Sequence, residues 1–287
     1  VLAFACAFTM FAGAAFTDQA DIKVDADVVD TLVSLGVVNG YDDGSFKPNG
    51  TVTRAEMAKM IYVLRTGNSD ASAYNDDKTS FTDIGTHWAR GYIKYCQSLN
   101  IIAGKSNTKF CPNDKVTAQE AAKMLLVTLG YNADKAGLVG TGWASKTNAL
   151  ADEAGLLDDV NTSFTAACPR QYAAQILYNA LDMKRVVWSN DINDFKNATD
   201  VSGEETIGEK YMDLYKTTAA VLTSVKKTDG KDTYKIELAS GVNYAKVTGK
   251  EEFTKVPTDV SDLLGLKVKV LVRVKTNGDQ DVYGVYA

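Results

Sequence analysis

Apolar positions recur at helical spacing through the first two thirds of the chain and alternate through the last third. Val28, Val29, Leu32, Val33 and Leu35 make one helical stripe, closed by Gly36. Met57, Met60, Ile61 and Leu64 make a second. It is opened by Thr53-Arg54-Ala55-Glu56, a capping box in which Thr53 and Glu56 satisfy each other's free amides. Trp88, Ile93, Tyr95 and Leu99 form a third stripe, and Ala121, Met124, Leu125 and Leu129 a fourth. Tyr172, Ala173, Ile176, Leu177 and Leu181 form the last helical face. Residues 67–79 and 188–208 are rich in Ser, Asn and Asp and read as linkers. From there the period changes to two. Residues 220–225 and 233–238 flank Asp229-Gly230, a hairpin signal. Val268, Val270, Val272 and Val274 share one face of residues 267–275, and Asn277-Gly278 turns the chain into 282–286. Residues 259–265 suit a short helix between strands. The predicted class is α+β: a helical portion, then a small antiparallel β domain over 209–287.

The helical portion repeats. Gly40-Tyr-Asp-Asp-Gly-Ser-Phe-Lys-Pro-Asn49 is a polar turn leading to the capping box. Ser98-Leu-Asn-Ile-Ile-Ala-Gly104 mirrors Ser34-Leu-Gly-Val-Val-Asn-Gly40, Phe110-Cys-Pro-Asn113 mirrors Phe46-Lys-Pro-Asn49, and Val116-Thr-Ala-Gln-Glu120 mirrors Val52-Thr-Arg-Ala-Glu56. All are offset by 64 residues. A weaker third copy follows: Gly142-Trp-Ala144 echoes His87-Trp-Ala89, Ala154-Gly-Leu-Leu157 echoes Leu35-Gly-Val-Val38, and Pro169-Arg-Gln-Tyr172 occupies the Thr-Arg-Ala-Glu position. Such a period means modules that bury their faces against one another. The copies span residues 16–66, 80–131 and 135–187.

These blocks resemble the S-layer homology family, whose signature is Phe-x-Asp, His-Trp-Ala, Gly-x-x-Asp-Gly-x-Phe-x-Pro and Thr-Arg-Ala-Glu in that order. The first copy has Phe16-Thr-Asp18, the loop and Thr-Arg-Ala-Glu, but no Trp; the second has Phe81-Thr-Asp83 and His87-Trp-Ala89, but Ala118 replaces the arginine. The resemblance implies a pseudo-threefold unit with grooves between adjacent repeats. The grooves would hold an anionic secondary cell-wall polysaccharide, often carrying a pyruvate ketal. By motif position Arg54 is the first candidate contact and Arg170 the next; Asp18, Asp83, Gly40 and Gly104 match the family's Asp and loop glycine, and Trp88 borders a groove. A guanidinium at a helix start offers a two-pronged contact beside free amides, which suits a carboxylate. The bland reading of Arg54 is a surface residue stabilised by Glu56, and the second junction, without arginine, is expected to be degenerate.

Composition narrows the alternatives. A net charge of −5 argues against general attraction to nucleic acid or anionic membrane, and the β portion shows no interleaved aromatic platform for nucleic acid. Residues 1–15 are apolar and small, ending Ala-Gly-Ala-Ala, like the end of a secretory signal peptide; no transmembrane segment is expected in the mature chain. Cys6, Cys96, Cys111 and Cys168 lack metal-ligand spacing, and burial as small apolar residues is expected. No cofactor is expected. The single histidine, His87, lies inside the repeat motif, and no nucleophile elbow, phosphate loop or dinucleotide fingerprint is present. The leading expectation is therefore a wall-anchored surface protein that is not itself an enzyme, with other S-layer subunits as further partners. Two alternatives stay open: a wall-associated enzyme with its catalytic domain downstream, and a lattice-forming protein that no longer binds sugar.

Overall fold

A computed structural model describes residues 16–198, 205–245, 247–275 and 277–287; the expected signal segment lies outside them. Two compact units are described separately, Phe16–Asp213 and Leu214–Ala287.

In the first unit, the capping-box helices form where the sequence predicts them. Thr53 Oγ1 accepts from the Glu56 N–H and Glu56 accepts from the Thr53 N–H, starting α2 (Arg54–Thr66); Thr117 and Glu120 start α4 (Ala118–Leu129) the same way. Both helices stop at a left-handed glycine, Gly67 or Gly130. Their third counterpart, α6 (Arg170–Leu181), begins after Pro169. Each copy also contributes a first helix: α1 (Ala26–Ser34), α3 (Arg90–Ser98) and α5 (Trp143–Glu153). Among the described residues their main partners lie in other copies. α2 packs on α3, α4 on α5, and α6 returns to α1, while α4 also meets α2 and α6. The core lies among the second helices, with Met57, Ile61, Leu64, Leu125, Leu126, Leu129, Ile176 and Leu177 essentially inaccessible.

The approaches to these helices close a ring of backbone hydrogen bonds. The Val52 N–H donates to Cys168 O (3.1 Å), the Cys168 N–H to Val116 O (2.8 Å), and the Val116 N–H to Val52 O (3.0 Å). Because every bond joins different copies, no single copy satisfies these buried groups alone.

Both expected linkers carry ordered structure in their described residues. Over 67–79, Ala71 is buried, Tyr62 Oη donates to Asp70 O (2.8 Å), and Lys94 Nζ donates to Asn75 O (2.6 Å). Gly91 of α3 allows this closeness, since a Cβ there would lie 2.2 Å from Ala71 O. Over 188–208, the hairpin β1 (Val186–Ser189) and β2 (Asp194–Asn197) is followed by α7 (Ile207–Met212), which packs on α2 and α6 through buried Ile207 and Met212. Apolar residues at 207 and 212 give α7 a reason to fold onto the helices, so this unit extends to Asp213, beyond the boundary expected at 208.

The second unit is antiparallel throughout. Its strands are β3 (Leu214–Lys216), β4 (Ala220–Lys227), β5 (Tyr234–Tyr244), β6 (Val247–Val256), β7 (Lys267–Val274) and β8 (Gln280–Tyr286), in the order β3-β7-β4-β5-β6, with β8 also on β7. Gly230 (φ 69°) and Gly278 (φ 84°) turn the β4–β5 and β7–β8 hairpins as the sequence predicts. Val268, Val270 and Val272 join Leu222, Ile236 and Phe253 in the core, whereas Lys267 and Lys269 are exposed. The short helix expected between strands is a single 3-10 turn, Ser261–Leu263.

Candidate functional site

The two motif arginines, expected at open groove positions, are buried between copies. Arg54 is 3% exposed. Its Nε donates to Phe110 O (3.0 Å), its Nη2 to Ala103 O (2.6 Å), its Nη1 faces Glu120 at 3.8 Å, and the guanidinium lies over the Phe110 ring. Arg170 is 8% exposed. Its Nη2 donates to Asn39 O (2.5 Å), and the guanidinium sits 5.1 Å from the Tyr41 ring centroid and 5.2 Å from that of Phe46. Each arginine thus reaches the loop of another copy: Arg54 beside Gly104 and the loop held by Asp83, Arg170 beside Gly40 and the loop held by Asp18. Burial depresses both guanidinium pKa values, opposed by Glu120 at Arg54 and by Tyr41 and Glu56 at Arg170.

The helix start does not offer the free amides expected for an anion. The Arg54 and Ala55 N–H groups donate to Asp114 O (2.9 Å) and Pro112 O (3.0 Å), and Glu56 N–H goes to Thr53 Oγ1. At α6 the Arg170 and Gln171 N–H groups donate to Gly50 O (2.7 Å) and Pro48 O (3.1 Å). The neighbouring copy supplies carbonyls where a ligand was anticipated, so only the side chains remain as donors.

The motif aspartates clamp loops. Asp18 accepts from the Phe46 and Lys47 N–H groups, both at 2.8 Å, and Asp83 from those of Phe110 (3.0 Å) and Cys111 (2.8 Å). Lys47 (φ 56°) and Cys111 (φ 57°) are held in the left-handed region, a conformation disfavoured for side chains with a Cβ. The loop glycines make room for aromatic rings: Phe16 packs at a tilt against Phe46 and Phe81 against Phe110, each pair with ring centroids 5.4 Å apart. Trp88 is 55% exposed and touches His87 and Tyr92 rather than either arginine. Cys96 and Cys168 are buried, with thiol pKa values pushed up to about 12, as suits small apolar residues, whereas Cys111 in the loop is only half-buried; Cys6 lies outside the described residues.

Residues that the motif did not single out distinguish the junctions. The slot after the loop glycine holds Tyr41 in the first copy and Lys105 in the second. Lys105 pairs with Glu120, which also faces Arg54, so at that junction one carboxylate is shared between two cations. Tyr41 is 40% exposed, and Arg170 Nε is buried without a hydrogen-bond partner among the described residues. The signal was present in the sequence as Tyr against Lys at one slot, but its meaning depends on which arginine arrives there.

Acid should loosen these contacts. Burial raises the Asp83 pKa, but the Phe110 and Cys111 amides outweigh it and hold the carboxyl below its ordinary value. Glu120 is likewise raised by burial and brought below its ordinary value by Lys105, the Thr117 amide and Arg54. A depressed carboxyl contributes stability above its ordinary pKa, and this is lost as pH falls through the folded value. The urea midpoint should therefore fall below about pH 4, and Asp83→Asn and Glu120→Gln should each flatten that fall. Asp27 and Asp30, raised by burial, act with opposite sign, so the variant-minus-parent difference is the quantity to measure. An unchanged acid limb in both variants would remove the linkage.

Among the described residues no cluster of His, Cys, Asp and Glu fits a metal ion, and no helix is long and apolar enough to cross a membrane. The S-layer homology domain model matches residues 15–58 and 80–122. The chain is 28% identical over 262 residues to a cell surface protein of Thermoanaerobacter kivui, covering 89% of this chain and 31% of that protein. It is 31% identical over 224 residues to a surface layer protein of Brevibacillus choshinensis, covering 74% and 19%. It is 28% identical over 171 residues to the exoglucanase XynX of Acetivibrio thermocellus, covering 54% and 15%. The chain therefore spans a third or less of the length of these relatives. Two matched motif segments, placed in equivalent inter-copy frameworks, make this chain an S-layer homology domain protein, secreted and carried at the cell surface.

Proposed function

We propose that Phe16–Asp213 is a pseudo-threefold anchoring unit that fixes the chain non-covalently to the cell wall by holding an anionic secondary cell-wall polysaccharide between copies. The cyclic helix packing and the ring through Val52, Val116 and Cys168 support the threefold reading. Relatives named as a surface layer protein and as an exoglucanase differ in whole-molecule role, so a shared stretch covering at least half of this chain favours placement over catalysis. Arg170 carries the binding reading. A buried donor left unpaired costs about 1–3 kcal/mol, and a carboxylate at its Nε would recover that cost. Beside it, exposed Tyr41 offers a ring to a sugar face. Arg54 ranks second because Phe110 O, Ala103 O and Glu120 already occupy its donors. Asp18, Asp83, Gly40 and Gly104 shape the loops around these junctions in this reading.

The test is co-sedimentation of the full chain with purified wall sacculi, before and after the secondary polysaccharide is stripped. Parent binding should vanish on stripping, and Arg170→Ala should bind intact walls at least about tenfold more weakly, the loss of one charge-assisted contact, while keeping its helical circular dichroism. Equal binding to stripped walls, or a folded Arg170→Ala that binds like the parent, would refute this assignment.

A further inference from the structure

Two of the three junctions place a motif arginine on the same backbone carbonyl. Arg170 Nη2 donates to Asn39 O (2.5 Å) and Arg54 Nη2 to Ala103 O (2.6 Å), and both carbonyls belong to the residue before the loop glycine, Gly40 or Gly104. The counterpart in the third copy is Asp158, three residues after Gly155 as Asn39 is three after Gly36. No arginine arrives there, because Ala118 holds the motif position on α4 and is inaccessible. Asp158 O is nevertheless engaged: Asn179 Nδ2 of α6 donates to it (2.8 Å) and to Leu156 O (3.1 Å). We propose that Asn179 stands in for the missing arginine as the positioning residue of the third loop, and that the junction between the second and third copies is thereby closed by neutral bonds rather than open to a carboxylate-bearing polymer. The closure rests on the Arg170 reading above; the role of Asn179 stands without it.

Three observations carry it. The first is the register of the repeat. Asn179 falls nine residues after the motif position at 170, where α2 has Val63 and α4 has Val127. Neither valine can donate a hydrogen bond from its side chain. The donor is therefore found in the copy whose carbonyl receives no guanidinium, and it is absent at the same place in the two copies whose carbonyls do receive one. A carbonyl left unpaired in such a packed loop is costly, so the loss of one donor calls for another. The second observation is that the amide is aimed. Gln175, one helical turn earlier on α6 and buried, donates from Nε2 to Asn179 Oδ1 (2.9 Å). The oxygen is thus held away, and the amide nitrogen, with its two donors, faces two carbonyls that only accept.

The third observation concerns the arginine's other acceptor. Arg54 Nε donates to Phe110 O (3.0 Å). In the third loop the phenylalanine carbonyl, Phe164 O, accepts instead from the Gln119 backbone N–H at the start of α4 (3.2 Å). The equivalent amides of the other helices, Ala55 and Gln171, go to Pro112 O and Pro48 O. Loop length explains the exchange: five residues separate Phe164 from Pro169, against seven between Phe46 and Thr53 and between Phe110 and Thr117. The shorter loop draws Phe164 O onto the helix start. Both carbonyls that an arginine would take at this junction are thus met by uncharged amides, one from a side chain and one from the backbone. Where Arg170 keeps a buried donor for an anion, these donors are spent within the protein.

Urea unfolding of the full chain, followed by helical circular dichroism, tests the positioning role. Asn179→Ala should lower the folded-to-unfolded ratio of the helical unit about tenfold, as for carbonyls left unpaired. Asn179→Asp keeps the shape but turns a carboxylate onto the carbonyls, and should lower the ratio further. Ala118→Arg should destabilise the parent, where Asp158 O is already engaged. Combined with Asn179→Ala, the guanidinium finds that carbonyl open, so the pair should be about fivefold less harmful than the product of the single effects. Asn179→Ala with the parent's midpoint, Asn179→Asp no worse than Asn179→Ala, or a strictly multiplicative pair overturns the role of Asn179; the first two comparisons decide it even where Ala118→Arg fails to fold. Amide hydrogen exchange of the parent on wall sacculi tests the closure. Intact walls should protect residues 39–46, whereas residues 156–164 should exchange alike on intact and stripped walls. Protection of 156–164 by intact walls overturns the closure and leaves the Arg170 reading standing. A parent that ignores the polysaccharide overturns that reading and the closure with it, while the unfolding series still decides Asn179.

Discussion

Arg54→Ala is expected to destabilise the helical unit by about 3–5 kcal/mol, the range for removing one partner of a buried charged network. The guanidinium is the joint between the first and second copies. Its removal strands Phe110 O and Ala103 O, leaves Lys105 as the cation paired with Glu120, and empties the space over the Phe110 ring. Urea unfolding followed by circular dichroism should show a lower midpoint with an unchanged slope. Wall binding should persist where the variant remains folded, because the Arg170 junction is untouched. A variant with the parent's midpoint and abolished wall binding would return Arg54 to the role of direct ligand contact.

Gly104→Ala is the second large effect. A Cβ there would stand 2.3 Å from Ser106 O, 2.6 Å from Lys109 O and 2.6 Å from the Phe81 ring. Two of these are backbone atoms of the loop that Asp83 clamps, so relief requires the loop to move. The expected loss is about 1–3 kcal/mol, as for overpacking a filled site. Gly40→Ala serves as the control. Its Cβ would meet the edge of the Phe16 ring at 2.8 Å and Ser45 O at 3.4 Å, and a side-chain ring that can turn about its own bonds yields more readily than a backbone carbonyl. Calorimetry should therefore rank Gly104→Ala well below Gly40→Ala in melting temperature. The reverse order would show that the loop in the second copy is more compliant than its hydrogen bonds imply.

Both predictions concern residues that the sequence placed in a binding motif and that the structure places in the scaffold. The motif arginine, aspartate and glycine of one junction come from two copies, Arg54 with Asp83 and Gly104, Arg170 with Asp18 and Gly40. A linear pattern shows that such residues recur. It does not show that Asp114 O and Pro112 O arrive at the start of α2 and take the amides a ligand was expected to use.

The sequence by itself determined the elements whose causes are local. Thr53 and Glu56, Thr117 and Glu120 start helices because each pair satisfies amides within one turn. Gly230 and Gly278 turn hairpins because a positive φ costs glycine little. The 64-residue offset revealed equivalent modules without any coordinates. Only the tertiary structure decided how those modules close on one another. It brought α6 back to α1, ordered the polar stretch at 67–79 beneath Tyr62 and Lys94, and drew Ile207 and Met212 into the helical core. It also decided that Arg54 has its donors taken by Phe110 O and Ala103 O and shares Glu120 with Lys105, while Arg170 keeps a donor to spare. These outcomes depend on carbonyls, rings and charges contributed from distant chain positions, and their proximity is set by packing rather than by any spacing along the sequence.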